Sequence, residues 1–304
     1  MSLLMEQALN GVQLGVTLFL LAAGLTLIFG IMGVINLAHG SLYMIGAYAM
    51  AAVAASTGSF LLAFPAGLAA AGIAGVLMEY LVVRRLYARD HLDQVLATFG
   101  LILFFNKLTT ILFGRQPLFV QIPDFLNGSV MIGGIVRYPV YRLAIIAVGL
   151  ATAIGLYLLI ARTRLGMLIR AGATNREMVR ALGVDIRLLY TLLFGVGAML
   201  AGLAGVMAGP ILSVQVGMGE QVLILTFVVV VIGGIGSVRG AFNGALAVGM
   251  VDTMLRAYLP GVLRQLMAGP DADALAAGLS AMGVYMLMAI VLLVKPQGLA
   301  PAHG

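Results

Sequence analysis

The 304-residue sequence has no cysteine and no tryptophan, and only 9% of its residues are Asp, Glu, Lys or Arg. The missing cysteines exclude disulfides, thiolate nucleophiles, iron–sulfur ligation and cysteine-based zinc sites. The missing tryptophans leave Tyr and Phe to form any interfacial aromatic belt. A water-exposed surface normally needs about a quarter of all residues charged, so the scarcity of charge excludes a soluble globular protein. With 62% hydrophobic residues and a mean hydropathy of +1.12, most of the surface faces lipid or protein. The chain belongs in a bilayer.

The net charge of +6 could suggest nucleic acid, yet 15 of the 17 cations are Arg and they are scattered between apolar runs. That pattern is a topology signal, and no nucleic-acid partner is expected. Residues Met1 to Gln7 carry Glu6 and no Lys or Arg, unlike the basic n-region of a signal peptide, so the first apolar stretch is expected to persist as a membrane helix.

Between Glu6 and Glu79 lie 72 residues without a full charge. At 1.5 Å per helical residue they could cross a hydrocarbon core of about 30 Å three times, with breaks near Gly33 and near Thr57-Gly58. Ile35-Asn36-Leu37-Ala38-His39-Gly40-Ser41 places polar residues inside this run, and any non-helical backbone there must be covered by protein or line a wet cavity. Arg84, Arg85, Arg89, Asp90, His91 and Asp93 then form a polar loop, and a fourth passage runs from about Val95 to Phe113. Residues 114–142, with Pro117, Pro123, Pro139, Asn127-Gly128 and Gly133-Gly134, read as an external loop of turns or short strands. Arg142 to Ala161 is a fifth passage. Residues 162–190 form the longest polar stretch, with six arginines against Glu177 and Asp185. Further passages cover Thr191 to Gly209, Val222 to Gly236, Ala241 to Leu259 and about Ala274 to Val294. The whole is an all-α polytopic membrane protein, one domain over residues 1–304, with eight or nine transmembrane helices, some discontinuous.

Arg84, Arg85, Arg89, the six-arginine loop, Arg239 and Lys295 fall on one side. Arg115, Arg137, Arg256 and Arg264 fall in loops on the other, with Asp124, Asp271 and Asp273. The positive-inside rule places residues 162–190 and the C-terminus in the cytoplasm. Many of the 40 glycines fall four apart, as in Gly11 and Gly15, Gly205 and Gly209, and Gly236, Gly240 and Gly244. Small residues at that spacing let helix backbones approach closely and pack a compact bundle.

Catalytic chemistry finds little support. Of three His, His303 is in the tail, His91 is in a charged loop, and His39 has no second ligand at metal-binding spacing. Ser41 is wrongly placed on a helix to be served by His39 as a base, and neither Lys107 nor Lys295 follows a glycine-rich phosphate loop. The chain is therefore expected not to be an enzyme and to carry no cofactor or metal. If ATP drives it, another subunit hydrolyses the ATP. Glu79, Glu220 and Asp252 fall near segment ends or loops, so His39 is the main mid-membrane candidate for a proton carrier. That scarcity disfavours a stand-alone ion-coupled carrier.

Within 162–190, Thr174 and Glu177 form a capping box, Met178, Val179 and Leu182 an apolar face, and Gly183 a helix stop. They predict a short helix over Asn175 to Leu182, with Arg176 and Arg180 one turn apart. Eight residues are too few to be helical alone in water, so tertiary contacts or a partner must hold them. An ordinary basic loop on anionic lipid is the other reading of this stretch. A further pattern, an apolar run, a glycine-containing break and another run, recurs at His39-Gly40-Ser41 and at Arg239-Gly240-Ala241. Paired breaks can mark a substrate path. Asn36, His39, Gly40 and Asn243 are assigned to that path, with interhelical hydrogen bonds as the alternative role of the polar ones.

Several blocks resemble the LivH-type permease subunits of bacterial branched-chain amino acid ABC importers. They are Gly24 to Tyr48 with its Asn36-Leu-Ala-His39-Gly40 core, Arg170-Ala-Gly-Ala-Thr-Asn175 continuing to Gly183, Phe194 with Ala201 to Gly205, Val231 to Gly240, and Lys295-Pro-Gln-Gly-Leu. They span nearly the whole chain in order. Urea and short-chain amide permeases share the Asn-Leu-Ala-His-Gly block. The resemblance implies a type II ABC importer-like bundle in the bacterial inner membrane. It would work with a second homologous permease, two ATP-binding subunits and a periplasmic amino-acid-binding protein, within membrane lipid. It also implies that residues 162–190 dock into an ATPase groove, through Arg170, Ala171, Gly172, Thr174, Asn175, Glu177, Arg180, Ala181 and Gly183. Alternating access would then import apolar amino acids.

Overall fold

A computed structural model describes residues 2–134, 136–174 and 176–300. The helices are α1 (Ser2–Met32), α2 (His39–Thr57), α3 (Phe60–Leu81), α4 (His91–Phe113), α5 (Val140–Arg162), α6 (Arg164–Thr174), α7 (Arg176–Ala181), α8 (Ile186–Ala208), α9 (Met218–Gly233), α10 (Val238–Leu263) and α11 (Gly269–Val294). Seven of them, α1, α3, α4, α5, α8, α10 and α11, are long and apolar enough to cross a membrane. The shorter α2 and α9 pack among them and bring the bundle to nine helices, in line with the sequence. Helix α1 ends at Gly33 and α2 at Gly58, both with φ +67°, which glycine adopts without a Cβ clash.

Helices α1 and α8 form the buried centre, and α4, α5, α10 and α11 are largely exposed around it. Small residues line the seams between neighbouring helices. Gly11 and Gly15 of α1 face Met250 and Ala245 of α10, and Gly67 and Gly75 of α3 face Val206 and Ala198 of α8. Gly205 meets the Tyr43 backbone of α2, and Gly240 and Gly244 lie against α9. The glycines spaced four apart thus pack within the chain, where close backbone approach supplies the dispersion contacts that hold helices together in lipid.

Residues 33–38 leave the end of α1 as non-helical chain and climb back into the bundle. His39, the first residue of α2, lies beside Leu21 and Gly24, eight or more residues, about 12 Å, from the end of α1. Six extended residues can span about 20 Å. Polar side chains of α4 satisfy the exposed backbone: Ile35 N–H donates to Gln94 Oε1 (3.1 Å) and Leu37 N–H to Thr98 Oγ1 (3.3 Å). The irregular backbone is covered by protein, as membrane depth requires.

Residues 114–139 join α4 to α5 and carry a hairpin of β1 (Ser129–Ile132) and β2 (Val136–Pro139), antiparallel with Ser129 opposite Pro139. The expected boundary at 142 moves because α5 starts at Val140. The polar stretch is mostly helical. Helix α6 occupies residues the sequence assigned to loop, and Arg187 and Tyr190 belong to α8, so the linking segment is 163–185. Asp252 is not near a segment end, nor is Arg256 in a loop. Both lie inside α10, one turn apart, where a 2.9 Å ion pair lets the helix carry two opposite charges. At the chain's end Lys295 to Gly298 turn back, and Leu299 and Ala300 N–H donate to the last carbonyls of α9, Ile232 (2.8 Å) and Gly233 (3.1 Å).

Candidate functional site

A cavity of 1250 Å³ opens between α1, α5, α6 and the start of α10, at the end of the bundle that carries the arginines. Its inner wall is apolar, with Phe19, Leu27, Leu150 and Phe242. Its outer part holds Tyr157, Arg170, Thr174, Ser237, Arg239 and His91. The Arg239 guanidinium stacks 5.1 Å above the Tyr157 ring, and Arg170 Nη1 donates to the Ile160 carbonyl. The shape is apolar within and cationic at the mouth. Thr26 also lines it, with a buried hydroxyl that has no hydrogen-bond partner among the described residues.

The cavity unites parts of the two residue sets nominated from sequence. Arg170 and Thr174 of α6 line its outer part and Asn243 of α10 lines its wall, exposed. Asn36, His39 and Gly40 do not line it. Asn36 is fully buried, its Oδ1 accepting from Ala38 N–H (3.0 Å) and its Nδ2 unpaired among the described residues. His39 is equally buried, and its Nε2 donates to the Leu21 carbonyl of α1 (3.2 Å), leaving Nδ1 as an acceptor without a partner there. Gly40 packs backbone to backbone on Gly219 of α9. The two glycine-containing breaks therefore do not meet: Gly240 sits on Gly233, and Gly40 on Gly219.

The arginine-rich segment has two faces. Val179 of α7 points inward and Gly172 of α6 is buried against Leu189 of α8, whereas Met178, Arg180, Ala181 and Leu182 are exposed. Of the expected apolar face, only Val179 packs inward. Leu182, 76% exposed, presents a large apolar side chain beside Arg180. Thr174 is exposed and its hydroxyl donates to the Arg170 carbonyl (3.0 Å). Ala171 is half-buried. Gly183, at φ +85°, ends α7, and its N–H donates to the Arg180 carbonyl (3.0 Å). Asn175 and the side chains of Arg176 and Glu177, the latter expected in the capping box, lie outside the described residues.

Sequence reasoning missed Thr26, Tyr157 and Phe242, because a Thr or an aromatic residue in an apolar run carries no mark of what it faces. It also missed Gln94 and Thr98, for which the signal was available: two polar side chains four apart in a membrane helix need partners.

Over residues 7–294 the chain matches the family described as branched-chain amino acid transport system / permease component. It is 28% identical to the high-affinity branched-chain amino acid transport system permease protein LivH of Escherichia coli (strain K12), over 97% of this chain and 94% of that protein. It is 32% identical to the corresponding permease protein BraD of Pseudomonas aeruginosa, over 82% and 85%. A probable branched-chain amino acid transport permease protein LivH of Methanocaldococcus jannaschii is 26% identical over 80% and 78%. No solved structure matches. Matched over residues 7–294, and with seven helices among the described residues long and apolar enough to cross a membrane, this multi-pass membrane chain is a member of the family of branched-chain amino acid transport system permease components.

Proposed function

We propose that this chain carries branched-chain amino acids across the bacterial inner membrane as one permease half of an ATP-driven importer. A second homologous permease completes the path, two ATP-binding subunits bind at α6 and α7, and a periplasmic binding protein delivers the substrate. The chain itself needs no cofactor. Residues 163–185 and the C-terminus face the cytoplasm on this reading. The observation that carries it is the shared position of Arg170 and Thr174, which belong to the arginine-rich segment and also line the outer part of the cavity. A push on that segment by a closing ATPase pair changes the cavity directly, so alternating access needs no ion-coupling residue. The apolar inner wall suits an aliphatic side chain, and the exposed Asn243 suits the polar backbone of an amino acid.

The exposed pair Arg180 and Leu182 is the proposed ATPase contact. Arg180→Glu with Leu182→Asp in the assembled importer should abolish co-purification of the ATP-binding subunits while the permease stays folded. Normal co-purification with normal leucine uptake would sink the docking assignment. Leucine uptake by proteoliposomes containing this chain alone under a proton gradient would instead favour a stand-alone carrier.

A further inference from the structure

A buried carboxylate outside the cavity ties several elements together at the arginine-rich end. Glu79, in the last turn of α3, is fully buried. Its Oε1 accepts from Arg84 Nε (3.1 Å) and from the Tyr87 hydroxyl, and its Oε2 accepts from Arg84 Nη2 (3.1 Å) and the Thr191 hydroxyl (2.8 Å). A carboxylate has about four lone-pair sites, and all face a donor, with the single Thr191 hydroxyl proton shared between Glu79 Oε2 and the Arg187 carbonyl (2.9 Å). Arg84 Nη2 also donates to Thr191 Oγ1 (2.7 Å), which closes the ring. The hydrogen bond to Glu79 raises the Arg84 pKa. Burial, and then the bond to Glu79, raises that of Tyr87, so its hydroxyl remains a donor.

These donors come from separate segments: Arg84 from the 3-10 turn Val83–Leu86, Tyr87 from the residue after it, and Thr191 from the second turn of α8. In one direction α8 leads back to α7 through Gly183 and Asp185, whose Oδ1 caps α8 by accepting from Arg187 N–H (2.9 Å) and Leu188 N–H (3.2 Å). In the other, Gln94 Nε2 donates to the Leu86 (3.3 Å) and Arg89 (3.1 Å) carbonyls, while its Oε1 accepts from Ile35 N–H. A series of hydrogen bonds and short backbone turns thus connects α8 with residues 33–38.

We infer that Glu79 is a positioning residue, which links movement of the α6–α7 segment to the re-entrant residues 33–38 and the start of α2. The inference rests on the proposed docking role of α6 and α7. Apolar helix contacts can slide, but opening this cluster would leave a buried carboxylate unpaired, so α3, the 83–89 connection and the start of α8 move as one unit. Spatial continuity alone does not establish coupling, and the test must read coupling itself.

Thr191→Val removes the α8 arm and leaves Glu79, Arg84 and Tyr87 bound to one another, while Thr191→Ser keeps the hydroxyl. The complete importer in proteoliposomes, supplied with leucine and its binding protein, is assayed for leucine moved per ATP hydrolysed. The expected result is unchanged ATPase co-purification with a fall of about tenfold in leucine per ATP for Thr191→Val, the scale of one charge-assisted hydrogen bond, and recovery in Thr191→Ser. An unchanged ratio in Thr191→Val overturns the inference. Should that variant fail to assemble, Gln94→Met breaks the series at its other end, and an unchanged ratio there overturns it equally. Arg180→Glu separates the two readings. If it leaves co-purification and hydrolysis intact, the docking role itself has failed; if it uncouples while Thr191→Val does not, only the role of Glu79 has.

Discussion

Residues 33–38 and residues 234–237 both end one helix at a glycine and lead into another, yet the first climbs into the bundle and the second turns at its arginine-rich end. The first is sealed: its N–H groups go to Gln94 and Thr98, and Asn36 and His39 beside it are fully buried. The second is open on one side, where Ile235, Gly236 and Ser237 line the cavity. The difference teaches that a polar residue in a membrane run is not by itself a path residue. Where the helix breaks at depth, polar side chains are spent on backbone satisfaction. Where it breaks at the arginine-rich end, Ser237 likewise caps α10 by accepting from Gly240 N–H (3.0 Å), and the exposed Arg239 and Asn243 beyond it line the cavity.

That contrast can be broken most severely at Gly40. A Cβ there would press on the Gly219 carbonyl, and Gly40→Val should cost about 3 kcal/mol of stability and lower the folded yield, as seen by thermal unfolding in detergent. Next in size, His39→Ala removes the donor to the Leu21 carbonyl and opens a void, for a loss of about 2 kcal/mol, whereas His39→Gln, which can still donate, should lose less. Leucine uptake per folded molecule should be unchanged in both. Loss of uptake by well-folded His39→Gln would move His39 onto the path. Arg239→Gln removes the stacking on Tyr157 and should cost about 0.5–1 kcal/mol in unfolding measurements. Smallest in stability is Asn243→Ala, within about 0.5 kcal/mol for an exposed side chain, yet it should raise the leucine concentration for half-maximal uptake several-fold.

Helix boundaries were readable wherever glycine with positive φ or a charge ends an apolar run: Gly33, Gly58, Phe113 before Gly114, and Gly183 all fall where the sequence places them. Helix α6 was not, because its arginines made an amphipathic helix read as loop while Leu168 and Ile169 pack inward. Asp252 and Arg256 misled in the same way, since charge was taken as a boundary when an ion pair one turn apart keeps it within a helix. Of the candidate site, the short helix α7 and the placing of Asn243 away from the buried core were legible. The part played by Asn36 and His39 was not, because sequence shows a polar group without showing which backbone atom it must satisfy.

The absence of cysteine makes one measurement unusually clean, since a single introduced thiol has no background. Asn243→Cys and His39→Cys are each treated with a charged, membrane-impermeant maleimide in inverted membrane vesicles, which expose the arginine-rich end on the proposed topology. An open cavity walled by Asn243 and a sealed His39 predict rapid labelling of the first and none of the second, with leucine slowing the labelling of Asn243→Cys. Equal labelling of both, or labelling of His39→Cys alone, would contradict the account.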